Sequence, residues 1–254
     1  MGIFNRKEKI GLALGGGAVL GAAHIGVLKA IEEQKISVNC IAGTSAGALV
    51  AALFAFGKSS DEIEKIAMDL DWFEISELSI SKYGLLSNKR LGKIITDNIG
   101  DVKFSDAGIP LAMVATDIAT GEKVVLKKGK VEEAVMATTC IPGIFSPVEI
   151  NKKMLVDGGI VDNVPVSVLK ELGAGYLIGV DLYAEHTQQK PGNIIEIILN
   201  TYNFVLMNAT KLQTGDADLL IKPDLSKFNM VDPEQVPDLI KKGYAEAKKA
   251  LKKL

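Results

Sequence analysis

Cysteine and histidine are scarce in this chain, with two of each in 254 residues. Cys40 and Cys140 cannot build a disulfide framework, and neither lies in a CxxC or other metal-ligand spacing. A disulfide-stapled secreted fold is therefore excluded, and no metal site is expected. A charge excess of one sign is missing as well. Twenty-nine Lys and Arg against thirty-one Asp and Glu leave a net charge of −2, which argues against nucleic acid as the main partner. Internal repeats, low-complexity tracts and linkers are also absent. What is present is an apolar majority: 48% hydrophobic residues with 24% charged is the balance of an ordered globular chain. A chain of this length buries roughly three-quarters of its unfolded surface, so a core forms without staples.

The N-terminus carries the outline of a secretory signal. Arg6, Lys7 and Lys9 precede an apolar run, and Gly21-Ala22-Ala23 resembles a small-residue cleavage site. Gly11, Gly15, Gly16, Gly17 and Gly21 interrupt that run too often for a signal or transmembrane helix. The stretch reads as mature protein, with residues 1–9 as an N-terminal extension and 10–254 as a single domain. Arg6 stands where N-myristoylation of Gly2 needs Ser or Thr. A cytoplasmic location is the resulting expectation, with peripheral contact to a membrane surface left open.

Two short buried strands, Ile10 to Leu14 and Val38 to Ala42, are each followed by a helix, from about Gly21 and Ala46 respectively. This rhythm is the signature of a parallel sheet with helices on its faces. Further strands are predicted at Leu111 to Asp117, Val124 to Leu126, Met154 to Val156, Tyr176 to Asp181 and Leu219 to Lys222, with helices between. The helix predicted from Ile194 to Leu212 has a broad apolar face. Packing on the sheet is the favoured reading, and a wall of a lipid groove is the rival. Lys248, Lys249, Lys252 and Lys253 suit a solvated face near a helix C-terminus, with anionic lipid as the alternative partner.

Three motifs carry chemistry. Gly43-Thr44-Ser45-Ala46-Gly47 is a GxSxG placed directly between an apolar strand and an apolar helix. Such a turn forces strained backbone on Ser45 and lifts its hydroxyl above the sheet edge, while Gly43 and Gly47 remove side chains that would clash. Gly15-Gly16-Gly17 ends the first strand and Gly21 opens the next helix. The dinucleotide fingerprint fails because Leu20 stands at its third glycine, and the P-loop fails for want of a following Lys-Ser or Lys-Thr. Backbone N–H groups converging on an oxyanion fit the glycines better. The proton acceptor is open among His24, His186 and a carboxylate. The order Ser45, Asp157, His186 matches an α/β-hydrolase triad. Asp157 closes a buried strand, and Gly158-Gly159 behind it admits close approach of another backbone. A carboxylate acting alone needs burial to raise its basicity.

Together these motifs resemble the patatin-like phospholipase family, and its short bacterial members most. The resemblance extends to Gly84-Leu85-Leu86, Ile141-Pro142-Gly143-Ile144-Phe145-Ser146-Pro147, the segment from Asp157 to Pro165, and Ala217-Asp218 to Asp224. It implies a three-layer α/β/α sandwich with a mostly parallel central sheet. It implies Ser45 as nucleophile, Asp157 as base, no catalytic histidine, and the N–H groups of Gly16, Gly17 and Ala18 as oxyanion donors. Gly15, Gly21, Gly43, Gly47, Gly158 and Gly159 would support these groups. The expected substrate is a lipid or other acyl ester, cleaved with no cofactor and no metal. One departure is Leu20, where the family usually has Arg. It puts phospholipid preference in doubt, and it leaves a non-catalytic lipid- or protein-binding regulator as the second hypothesis.

Overall fold

A strand covered on both faces has no need of polar alternation, and the uninterrupted apolar run at the N-terminus forms such a strand, β1 (Ile10–Leu14), with every residue buried. The computed structural model describes residues 8–69, 77–78, 84–184, 190–192, 194–252 and 254. After β1 come a 3-10 turn (Ala18–Ala22), α1 (Ala23–Glu33), β2 (Val38–Thr44), α2 (Ala46–Ala55) and α3 (Ser60–Asp69). The middle of the chain forms β3 (Glu77–Leu78), β4 (Gly84–Ser87), α4 (Lys89–Ile99), β5 (Leu111–Asp117), β6 (Lys123–Leu126) and α5 (Val131–Thr138). Next are β7 (Gly143–Phe145), β8 (Val148–Ile150), β9 (Lys153–Asp157), α6 (Gly159–Asp162), α7 (Val166–Glu171) and β10 (Tyr176–Val180). The chain continues through α8 (Ile194–Gln213), β11 (Leu219–Ile221) and α9 (Val236–Leu251).

The central sheet runs β11-β10-β1-β2-β5-β9-β8, with β6 paired to β5 off that path. β11, β10, β1, β2 and β5 are parallel, and helices connect β1 to β2 and β2 toward β5, as parallel neighbours require. β6, β9 and β8 run antiparallel to their partners. β3, β4 and β7 make a small separate sheet that the sequence pattern does not announce, because two to four residues are too few to show a period.

Pairing on β5 fixes the geometry that matters most. β6 occupies Met113 to Thr116 on one edge. β2 pairs with Leu111 to Val114, and β9 with Ala115 to Asp117. Each overlaps β6, so both must lie on the opposite edge, end to end. Thr44 finishes β2 opposite Val114 and Asp157 finishes β9 opposite Ala115.

Two apolar layers cover the sheet, giving the α/β sandwich. Leu12, Leu14, Ile41 and Met113 face the larger core with α1, α2 and α9. Ala13, Cys40, Ala42 and Ala112 face α7, whose Val168 and Leu169 close down on these small residues. α8 departs from the reading of a helix buried on the sheet. Leu206 is buried, but Ile194, Ile197, Phe204, Val205 and Leu212 are exposed. None of the described helices is long and apolar enough to cross a membrane.

α1 and α9 touch backbone to backbone. A β-carbon on Gly26 would stand 1.9 Å from the Ile240 carbonyl oxygen, and one on Gly243 would stand 1.9 Å from that of Ala23. Helix propensity alone favours Ala over Gly by about 1 kcal/mol. Here the steric overlap reverses the sign, and Gly26→Ala or Gly243→Ala is expected to destabilise by about 1–3 kcal/mol net. Urea unfolding measures it, and an unchanged or higher midpoint would contradict the packing argument.

Candidate active site

Between β2 and α2 the chain reverses in one residue. Ser45 takes φ 53° and ψ −126°, a left-handed conformation that costs a non-glycine residue of order 1–3 kcal/mol. The turn is tight enough that a β-carbon on Gly47 would lie 2.2 Å from the Leu14 carbonyl oxygen. Side chains from elsewhere hold the strained residue. Ser45 N–H donates to Thr138 Oγ1 at 2.9 Å, and the Thr138 hydroxyl donates to the Val114 carbonyl. The Thr44 hydroxyl donates to the Asp162 carbonyl at 2.9 Å. Thr138 is a site residue that sequence reasoning missed, since a threonine closing a helix gives no sign of its distant partner.

The glycine loop lies against this elbow. A β-carbon on Gly16 would meet Ser45 Cβ at 3.1 Å and Asn163 Oδ1 at 2.8 Å. Of the three amides expected to face an oxyanion, that of Gly16 is already engaged: it donates to Asn163 Oδ1 at 3.1 Å. The N–H groups of Gly17 and Ala18 have no partner among the described residues, and Ala18 adopts φ 49°. His24 supports the loop from beneath. Its Nε2 donates to the Gly15 carbonyl at 2.7 Å, which leaves buried Nδ1 unprotonated and without a partner among the described residues. Burial lowers the pKa of this ring to about 4, opposed by the Gly15 carbonyl, so it stays neutral near pH 7. Leu20 is fully buried in the main core, so this chain fills the position with packing and not with a cation.

Asp157 arrives at Ser45 from the other end of the same β5 edge. Its N–H donates to the Cys140 carbonyl at 2.8 Å, and its carbonyl accepts from the Thr116 hydroxyl at 2.9 Å. The carboxylate accepts the Gly159 N–H on Oδ1 at 2.8 Å and faces the Ser45 hydroxyl. A β-carbon on Gly158 would strike the Val114 carbonyl oxygen at 2.1 Å, so the acid reaches this depth because glycine follows it. Burial pushes the Asp157 pKa up to about 6, and the hydrogen bonds from Ser45 and Gly159 restrain the rise. The Tyr202 hydroxyl faces the same carboxylate and pulls in the same direction, yet stops short of a fully formed hydrogen bond. Burial, with the Asp157 charge, also pushes the Cys140 thiol up to about 12, which keeps it protonated.

Ser45 stands where two spaces join. On one side Gly17, Ala18, Asp157, Tyr183, Tyr202 and Asn203 help line a narrow pocket. On the other, Leu49, Leu86, Leu91, Ile144, Phe145 and Leu199 line a wide apolar groove. The structure thus brings together Ser45, Asp157, Gly16, Gly17 and Ala18. His24 lies one layer below, bonded to the loop, and His186 lies outside the described residues. Residues 70–76 and 79–83 also lie outside them, and Leu86 and Leu91 stand in the groove wall.

The patatin-like phospholipase family model matches residues 12–170. An uncharacterized NTE family protein of Mycobacterium tuberculosis is 36% identical over 179 residues, covering 69% of this chain and 49% of that protein. Neuropathy target esterase sws of Drosophila melanogaster is 34% identical over 183 residues, covering 69% of this chain and 13% of that protein. Lysophospholipase NTE1 of Candida glabrata is 31% identical over 211 residues, covering 77% and 12%. This chain spans about half the length of the mycobacterial relative it matches. The crystal structure of VipD from Legionella pneumophila superimposes with a TM-score of 0.70 at 15% identity, covering 97% of this chain and 67% of that one, which establishes likeness of fold. The matched region contains the glycine loop, the Ser45 elbow and Asp157, and by that match the chain belongs to the patatin-like phospholipase family.

Proposed function

We propose that this chain hydrolyses acyl esters of lipids, with Ser45 as nucleophile and Asp157 as general base. The observation that carries the reading is the hydroxyl of strained Ser45 facing the buried Asp157 carboxylate, beside two amides without partners among the described residues and at the head of an apolar groove. Asp157 takes the Ser45 proton as Oγ bonds to the ester carbonyl carbon, and the oxyanion gathers on the N–H groups of Gly17 and Ala18. Each such donor is typically worth about 3–4 kcal/mol in the transition state. The carbon–oxygen bond to the alcohol breaks, Asp157 returns the proton to the leaving alkoxide, and acyl-Ser45 remains. Water then attacks the acyl carbon as Asp157 accepts its proton, the bond from that carbon to Ser45 Oγ breaks, Asp157 returns the proton to Oγ, and the carboxylic acid departs. No cofactor is called on. Relatives named as an esterase and a lysophospholipase support this class of substrate.

Ser45→Ala is expected to abolish p-nitrophenyl butyrate hydrolysis and fluorophosphonate labelling, while His186→Ala keeps both. Loss of activity in His186→Ala would turn the reading to a triad. Asp157→Asn is expected to be nearly as inactive, yet more stable. A carboxylate whose folded-state pKa is raised from 3.8 to about 6 binds more protons folded than unfolded. Its ionisation therefore weakens the fold as pH rises through that window, at about 1.4 kcal/mol per unit. Thermal unfolding at pH 8 should show Asp157→Asn with the higher midpoint and at pH 3 should show no gain. In the wild type, kcat/KM should fall on the acid side with a midpoint near pH 6, where Asp157 protonates.

The exposed apolar face of α8 supports an approach to aggregated lipid, since its opposite face lines both spaces around Ser45 through Leu199, Tyr202 and Leu206. A helix seated this way sets the groove opening against its substrate. The double variant Ile197→Glu with Phe204→Glu is expected to lose at least about tenfold in binding to phosphatidylcholine vesicles, because burying two such side chains is worth about 3–6 kcal/mol. Its hydrolysis of soluble p-nitrophenyl butyrate should stay at the wild-type rate. Unchanged flotation with vesicles would remove the lipid-facing role of α8.

A further inference from the structure

We propose that Tyr202 is a positioning residue for the Ser45–Asp157 pair, its phenol closing onto the Asp157 carboxylate through the gap left by the missing side chain of Gly159 and steadying that carboxylate toward Ser45. The inference rests on the Ser45–Asp157 reading above. It starts from Gly159, the second glycine behind the acid. A β-carbon there would lie 3.0 Å from Tyr202 Oη, 3.2 Å from Asp157 Oδ1 and 2.8 Å from Leu206 Cδ2. Any side chain at this position would therefore wedge between phenol and carboxylate. Leu206, one turn on along α8, is buried against the same glycine and sets the height of Tyr202 over the acid.

Chemistry leaves this phenol one destination. Its oxygen is buried, and among the described residues it has no fully formed hydrogen bond. Leaving a buried hydroxyl without a partner costs about 1–3 kcal/mol, so it is driven onto the acceptor it faces. The nearby polar groups are otherwise committed: Tyr183 donates to Asn203 Oδ1 at 3.1 Å, and Asn203 Nδ2 donates to Met230 Sδ at 2.8 Å. The titratable groups facing Tyr202 are Asp157, Tyr183 and Cys140, and Asp181 in turn faces Tyr183. Burial raises the pKa of both tyrosines well above 10 and pushes the Cys140 thiol up, so all three are neutral near pH 7 and Tyr202 acts only as a donor.

The role differs between the two half-reactions. In the free enzyme Asp157 accepts the Gly159 N–H and is faced by the Ser45 and Tyr202 hydroxyls. Once Ser45 carries the acyl group its hydrogen is gone, and Gly159 and Tyr202 alone hold the carboxylate ionised for its attack on water's proton. Removing the phenolic hydrogen bond destabilises the carboxylate relative to the acid, so the acid limb of the pH profile moves upward.

The test is Tyr202→Phe, which keeps the ring in place, assayed on p-nitrophenyl butyrate from pH 5 to 9. The acid midpoint should rise by about one unit, which is about a tenfold loss of kcat below the midpoint and a small loss at pH 9, with KM unchanged. Gly159→Ala, which drives a methyl between the same two groups, should shift the midpoint the same way, and adding Tyr202→Phe to it should shift it no further. A wild-type midpoint in Tyr202→Phe, or an equal loss at every pH, overturns the proposal. If Ser45→Ala is dead while Tyr202→Phe keeps the wild-type profile, this inference falls alone. If Ser45→Ala stays active, the reading beneath it falls too.

Discussion

β2 advances along one edge of β5 in the parallel sense and stops opposite Val114, while β9 advances along the same edge in the opposite sense and stops opposite Ala115. Two strand ends that meet head to head cannot both continue, so each chain must leave the sheet at once. One leaves through Ser45 into α2 and the other through Gly158 into α6. The strain at Ser45 and the contact of Gly158 with the Val114 carbonyl are consequences of that collision. Val114 also anchors Thr138, which in turn takes the Ser45 N–H. One peptide of β5 thus locates the side chains of both Ser45 and Asp157.

Burial supplies the electrostatics. The same depth that shields the pair from water raises the Asp157 pKa to about 6, and a carboxylate of that basicity accepts a proton more readily than an exposed aspartate does. The fold carries a charge that weakens it at neutral pH, as functional groups in cores commonly do. His24 shows the reverse use of burial. Deep in the core it is held neutral, tying the glycine loop to the helix beneath it.

The match lies within relatives about twice as long or longer. VipD shares the fold at 15% identity.

Much of this was legible in the amino-acid order. Apolar runs without alternation identified the buried strands, and GxSxG at a strand–helix junction singled out Ser45. Glycines after Asp157 singled out an acid approached by backbone, and the fold class followed from the alternation of strand and helix. Each of these is a local signal, readable because it lies within a few consecutive residues. Tertiary structure alone decided that Asn163 takes the Gly16 amide, that Thr138 holds Ser45, that Leu20 is core, and that Tyr202 leans over the acid. Those contacts join side chains brought together by register and helix packing, and a linear pattern carries no record of which distant residue a buried hydroxyl or amide will meet.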